Sequence, residues 1–172
     1  MMDESERETP SDFSESVIDG VKAGTEKKIV ERSGECFRRI PVVRVQQMKD
    51  GALQFEEKNG THWVSEAFVS REYGISPKHI REFRVSGNSM GETIRPGDRV
   101  LGSMWDQDTL VDGSICLIGG PMGVLVRRLR LHGNSIVLVA DKAEIPDQKM
   151  SQEEWAESYR PIARILEVVR SL

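Results

Sequence analysis

FRVSGNSMGETIRPGDRVL, residues Phe83–Leu101, is the stretch whose reading decides the fold of this 172-residue chain. Phe83 and Val85 stand at strand spacing, Gly87 ends that strand, and Asn88-Ser89-Met90 form a turn. A second turn, Pro96-Gly97-Asp98, starts the next strand at Arg99. A serine at a strand end, with glycine before it and a large apolar residue behind it, has the setting of an exposed nucleophile. It equally has the setting of an ordinary turn serine, and the residues alone leave both readings open.

Working outward, the same texture of short apolar runs between turn residues continues on both sides. Upstream, Ile40, Val42, Val43 and Val45 form a β-branched run that predicts a strand. Ser65–Tyr73 carries Phe68, Val69 and Tyr73 at helical spacing and stops at Gly74, which predicts a short helix. Downstream, strands are predicted over Arg99–Met104, Ser114–Ile118, Val124–Leu131 and Ser135–Ala140, separated by Asp112-Gly113, Gly119-Gly120-Pro121 and Gly133-Asn134. Glu154–Ser158 reads as a helical turn and Pro161–Val169 as a closing strand. This pattern predicts a mainly β domain with minor helix, built as a folded-over sheet or partly closed barrel.

The first residues have a different character. Residues 1–37 contain Asp3, Glu4, Glu6 and Glu8, then Pro10 and several serines, with few apolar positions. They are expected to form an acidic tail or linker, with at most one short helix around Ser14–Lys22, and residues 38–172 to form the folded domain. No helix-turn-helix pattern is legible in the tail. The formal net charge of −4, from 24 Lys+Arg against 28 Asp+Glu, argues against duplex DNA binding by this chain alone. No run of apolar residues is long enough for a membrane span, and the N-terminus lacks a secretory pattern, so a cytoplasmic protein is expected. Two cysteines, Cys36 and Cys116, and three scattered histidines give neither a disulfide framework nor a metal-ligand spacing, so reduced thiols and no metal or cofactor are expected.

Taken together, Phe83-x-Val85-x-Gly87-x-Ser89-Met90, Ile94, Gly97-Asp98-x-Val100, Asp112-Gly113 and Val126-Arg127-Arg128-Leu129 resemble the LexA-like peptidase family, which includes LexA, UmuD-type mutagenesis proteins and the C-terminal domains of lambdoid phage repressors. The resemblance runs from about Ile40 to Leu172. It implies a β-rich fold, a homodimer, and self-cleavage stimulated by the RecA filament. In that family a serine nucleophile is activated by a neutral lysine. The serine falls on Ser89, with Gly87 and Met90 shaping the site, and the lysine position falls on Arg127.

Three departures bear on the chemistry. A buried lysine can be neutral and accept the serine proton, whereas a guanidinium stays protonated and has no acceptor. Arg127 therefore cannot do the lysine's job. Alternation groups it with Leu125 and Leu129 on one face, which predicts a carboxylate or carbonyl partner for it near Ser89. The family's scissile Ala-Gly or Cys-Gly falls in register on Asp50-Gly51, inside Met48-Lys49-Asp50-Gly51, and a charged side chain suits a small pocket poorly. A literal Ala23-Gly24 lies out of register. Finally, Glu92 replaces a proline that usually follows Ser-Met. Lys142 and Lys49 are the candidate substitute bases, each needing desolvation and close approach to the serine.

The resemblance and the departures together predict the C-terminal regulatory and dimerisation domain of a phage-type transcriptional repressor, with self-cleavage lost. The expected partners are a second copy, and either the RecA filament or an antirepressor protein. DNA would be reached only through a helix-turn-helix domain not contained in this chain, and no membrane is involved. The chain can equally be a short UmuD-like protein or a modulator that pairs with a full-length repressor. Arg160–Leu172, with Ile162, Ile165, Leu166, Val168 and Val169, is the candidate dimer surface, or else a strand that completes the core. Two alternatives stand: an active RecA-stimulated serine self-peptidase of the SOS response, with Ser89 as nucleophile, and a β domain in which Ser89 and Arg127 bind a small ligand or partner through a carboxylate.

Overall fold

The computed structural model of the protein describes residues 29–32, 34–106 and 109–170. The expected helix at residues 14–22 and the Ala23-Gly24 pair lie outside these residues. Among the described residues, Ile29–Arg32 and Glu35–Phe37, within the stretch read from the sequence as a tail, are in paired strands. Strand β1 (Ile29–Arg32) pairs antiparallel with the first part of β2 (Glu35–Gln47), with Gly34 in the tight turn between them at φ 75°. Such pairing rests on main-chain hydrogen bonds, which the scarcity of apolar residues in this stretch does not reveal.

Strand β2 turns back at residues 48–51 into β3 (Leu53–Ser65). The turn is closed by Gly51 N donating to Met48 O at 2.9 Å, and Met48 N to Ala52 O at 2.8 Å. Gly51 adopts φ 85°, and the Asp50 carboxylate accepts from Ala52 N at 3.0 Å, the local bond that makes aspartate a turn residue. Near the middle of this ribbon, a Cβ added to Gly60 would lie 2.0 Å from the Ile40 carbonyl, so only glycine fits beside the bulge between Ile40 and Val42.

Helix α1 (Glu66–Tyr73) follows as predicted. Ser65 caps it by accepting from Phe68 N at 3.1 Å, and Gly74 ends it in the left-handed region. Its one fully buried residue, Val69, packs with Ile40, Ile80 and Leu101. A short 3-10 turn at Pro77–His79 leads into β4 (Ile80–Arg84), and then come β5 (Arg99–Met104), β6 (Ile115–Gly120), β7 (Gly123–His132), β8 (Ser135–Val139) and β9 (Gln148–Ser151). Helix α2 (Gln152–Ser158) starts with a reciprocal capping box between Ser151 and Glu154, and β10 (Arg160–Val169) ends the described chain.

The strands form one sheet in the order β1-β2-β4-β5-β10-β6-β7-β8-β9, with β3 paired to β2 off this path. Among the described strands, only β2 and β4 run parallel. The path ends at β1 and β9 without closing, so the architecture is a mainly β, open and folded-over sheet with minor helix. Phe83, Val85, Met90, Ile94, Val100 and Leu117 fill the core beneath the loop after β4. Burying each such side chain contributes roughly 1.5–3 kcal/mol.

The last strand is central. Strand β10 pairs with β6 along Arg160–Arg164 and with β5 along Ala163–Val169, and Ile162 and Ala163 are fully buried. Its first half thus completes the core, while Ile165–Val169 pair on one edge with β5 alone. Among the described residues, no helix is long and apolar enough to cross a membrane.

Candidate functional site

The loop between β4 and β5 is tied shut at its base. Val85 N donates to Asp98 O at 2.9 Å, and Gly97 N to Val85 O at 2.6 Å. Inside it, Met90 and Ile94 form an isolated bridge and are both buried in the core. This apolar anchoring, with Thr93 N donating to Met90 O at 3.0 Å, fixes the turn that presents Ser89. Met90 therefore anchors the Ser89 turn to the core. Gly87 lies on the exposed limb, where an added Cβ would meet nothing within 4 Å, so close approach does not demand glycine there.

Ser89 is only 7% exposed. Its carbonyl accepts from Lys142 N at 3.1 Å, and its Oγ donates to the Val126 carbonyl at 2.9 Å. Arg127 curls back so that Nη1 donates to the same Val126 oxygen, also at 2.9 Å. The structure thus brings Ser89 and Arg127 together, with a carbonyl as the arginine's partner. Burial lowers the Arg127 pKa below the ordinary arginine value. Guanidinium nevertheless remains a cation at neutral pH, with five donors and no lone pair to offer.

Ser89 and Arg127 line a cleft of about 870 Å³, walled by Val43 and Val45 of β2, Val85, and Val124 of β7, with Lys142 on its margin. The hairpin turn carrying Asp50 and Gly51 is elsewhere. Those two residues line a separate hollow of about 410 Å³, beside Gly119, Gly120 and Arg160. The structure does not bring them to Ser89, and Lys49 shares their exposed turn.

Residues that the sequence reading passed over hold the serine loop. Asp141 accepts from Arg128 through both oxygens, at 3.1 and 2.8 Å, and from Thr93 Oγ1 at 2.8 Å. Arg128's hydrogen bond holds the Asp141 carboxyl below its usual range, and that same bond raises the Arg128 pKa. At the other limb, Arg170 donates to the carbonyls of Glu92 and Thr93, at 3.0 and 3.2 Å, and to the Asp98 carboxylate. The only sequence signal for the first clamp was Asp141 standing directly before Lys142. Arg170 gave none, since a terminal arginine ordinarily reads as a solvated charge.

Both cysteines are free. Cys116 is fully buried, and desolvation pushes its thiol pKa up. Among the described residues, no group of three or more histidine, cysteine, aspartate or glutamate side chains is placed to hold a metal ion.

No curated protein matches the chain in sequence. The family model described as Peptidase S24-like matches residues 41–165, a span that begins within β2, ends within β10 and contains both Ser89 and Arg127. With most of its length matched, and with a β-rich fold in which a buried serine lines a cleft, the chain belongs to the peptidase S24-like family.

Proposed function

We propose that this chain is the regulatory and dimerisation domain of a phage-type transcriptional repressor, acting in the cytoplasm, in which self-cleavage has been lost. The observation that carries this reading is the shared acceptor at Val126. A self-cleaving serine must pass its proton to a base, yet the Ser89 proton points at a carbonyl and its neighbour Arg127 is itself a donor to that oxygen. Asp50-Gly51, the bond in the family's register, lines a different hollow. What remains for such a domain is association. A homodimer would hold two DNA-binding domains at paired half-sites, and an antirepressor or the RecA filament would act on the dimer rather than on a peptide bond. Pairing through β10 would use its second half, Ile165–Val169, which pairs with β5 on one edge alone and where Leu166 and Val169 are only half-buried.

One observation favours the active self-peptidase as a second reading: Lys142 lines the same cleft and its main chain is bonded to Ser89. Intact-mass analysis of the purified chain at pH 7 and pH 10, with and without activated RecA filament, separates the two. The first reading expects an uncut chain throughout, with dimers by sedimentation. A cut that vanishes in both Ser89→Ala and Lys142→Met would establish the second.

A further inference from the structure

Away from Ser89, four arginines meet around one hollow. Arg84 at the end of β4, Arg95 in the turn before β5, Arg99 at the start of β5 and Arg170 just past β10 line a space of about 430 Å³, together with Asp98 and Val169. In a chain of net charge −4, this is four cations against one lining acid. The sheet register forces the crowding. Arg84 and Arg99 are direct Cα partners across the β4–β5 ladder, and Val169, next to Arg170, stands opposite Arg99 from the β10 side. Like charges directly opposite in an antiparallel pair are destabilising, so the fold carries a local cost that a bound anion would offset.

The neighbouring acids hold these arginines in place without spending all their donors. Arg99 Nη1 donates to Glu82 at 3.4 Å, Arg170 Nε and Nη2 to Asp98 at 3.2 and 3.0 Å, and Arg95 to Glu92. Arg170 Nη2 also donates to the carbonyls of Glu92 and Thr93, and Arg95 N to the Asp98 carboxylate. Arg84 is exposed and makes no hydrogen bond or ion pair among the described residues. Among the same residues, Arg99 Nη2 and Arg170 Nη1 are also unused. Each guanidinium has five N–H donors, so one positive charge and several donors are left over around the hollow.

The direction of supply selects the ligand. A carboxylate is satisfied by one planar fork. Guanidiniums arriving from two strands, a turn and the end of a third strand suit a tetrahedral anion, whose oxygens point several ways, and arginine forks match phosphate oxygens in pairs. Because three of the four are already fixed by acids or carbonyls, little ordering is left to be lost on binding.

We propose that this hollow binds a phosphate group, free or carried as a monoester, between Arg84, Arg95, Arg99 and Arg170. Arg84 is its principal partner, since it has no other. The site is independent of the chemistry at Ser89: of its four arginines, Arg84 alone also lines the serine cleft.

The test is equilibrium dialysis of the full chain at pH 7 with radiolabelled inorganic phosphate and, separately, adenosine monophosphate, in sodium chloride of fixed ionic strength. The expected result is saturable one-to-one binding of at least one probe, weakened about tenfold or more in Arg84→Gln. That variant removes a side chain without a partner, so the fold is retained. Arg84→Lys, which keeps the charge and loses the fork, should fall between the two. Equal affinities for the two probes make the phosphate group itself the ligand, and a tighter monophosphate assigns its organic part to the remaining space. Lys149→Gln, on β9 at the far end of the sheet, should bind as wild type does. Absence of saturable binding by both probes overturns the proposal, as does wild-type affinity in Arg84→Gln. An equal loss in Lys149→Gln overturns it in favour of net charge alone.

Discussion

Ser89 Oγ and Arg127 Nη1 donate to one acceptor, the carbonyl oxygen of Val126, each at 2.9 Å. A carbonyl has two lone pairs and can serve both donors, so neither group is left unsatisfied. The arrangement satisfies both groups: two donors converge on one acceptor.

That geometry makes Ser89→Ala a mild change. The hydroxyl is removed, but Val126 O keeps the Arg127 donor and no buried polar group is orphaned. The expected loss in unfolding free energy is about 1 kcal/mol or less, measured by urea denaturation. A loss of several kcal/mol would mean that the hydroxyl holds the loop by contacts beyond this bond.

Asp141 should matter more, because one carboxylate joins the serine loop at Thr93 to β7 at Arg128. Asp141→Asn is expected to destabilise by roughly 1–2 kcal/mol at pH 7, with part of the pairing screened by solvent. The folded-state pKa of Asp141 is depressed, so its contribution is present above the unfolded value of about 3.9 and fades as pH falls through the folded value. The gap between wild type and Asp141→Asn should therefore close below about pH 4 in denaturation curves taken across pH. A gap that stayed constant down to pH 2 would contradict this account of the carboxylate.

Glu82 presents the opposite case. It is 4% exposed in the middle of β4, with Arg99 at 3.4 Å from Oε1 and His62 at 3.7 Å from Oε2, and Oε2 has no hydrogen-bond partner. Burying a carboxylate with one oxygen left without a hydrogen bond is costly, and an amide keeps the oxygen that Arg99 uses. Glu82→Gln should change stability by no more than about 1 kcal/mol, whereas Glu82→Ala, which also strips Arg99 of its partner, should cost more. Equal losses in the two variants would show that the charge itself is needed.

Much of this architecture was legible in the sequence because its signals are local. Strands β5 to β8 alternate or run apolar between glycine turns, and α1 has its terminal glycine. Strand β3 was not legible. Its residues LQFEEKNGTHWVS are mostly exposed along a free edge, so no buried face imprints a period on them. Strand β9, only Gln148–Ser151, is too short for any pattern. At the site, the positions of Ser89 and Arg127 came from the family resemblance, and alternation gave Arg127 a carboxylate or carbonyl partner near Ser89, of which the structure has the Val126 carbonyl. The remoteness of Asp50-Gly51 did not, because register along the chain says nothing about which side of the sheet a hairpin turn reaches. The clamps by Asp141 and Arg170 are long-range pairings, and a single sequence does not disclose them.

The central claim is that Ser89 lacks a base because Arg127 has replaced one. Its most direct measurement is covalent labelling of Ser89 by a fluorophosphonate, read by mass, which needs an activated serine but no scissile bond in place. Wild type should stay unlabelled at pH 7 and at about pH 10, since a guanidinium does not become a base there. Arg127→Lys should take up one label as pH rises, and Ser89→Ala in that background should abolish it. Labelling of wild-type Ser89 at the rate of Arg127→Lys would contradict the account and show that another group already removes the serine proton.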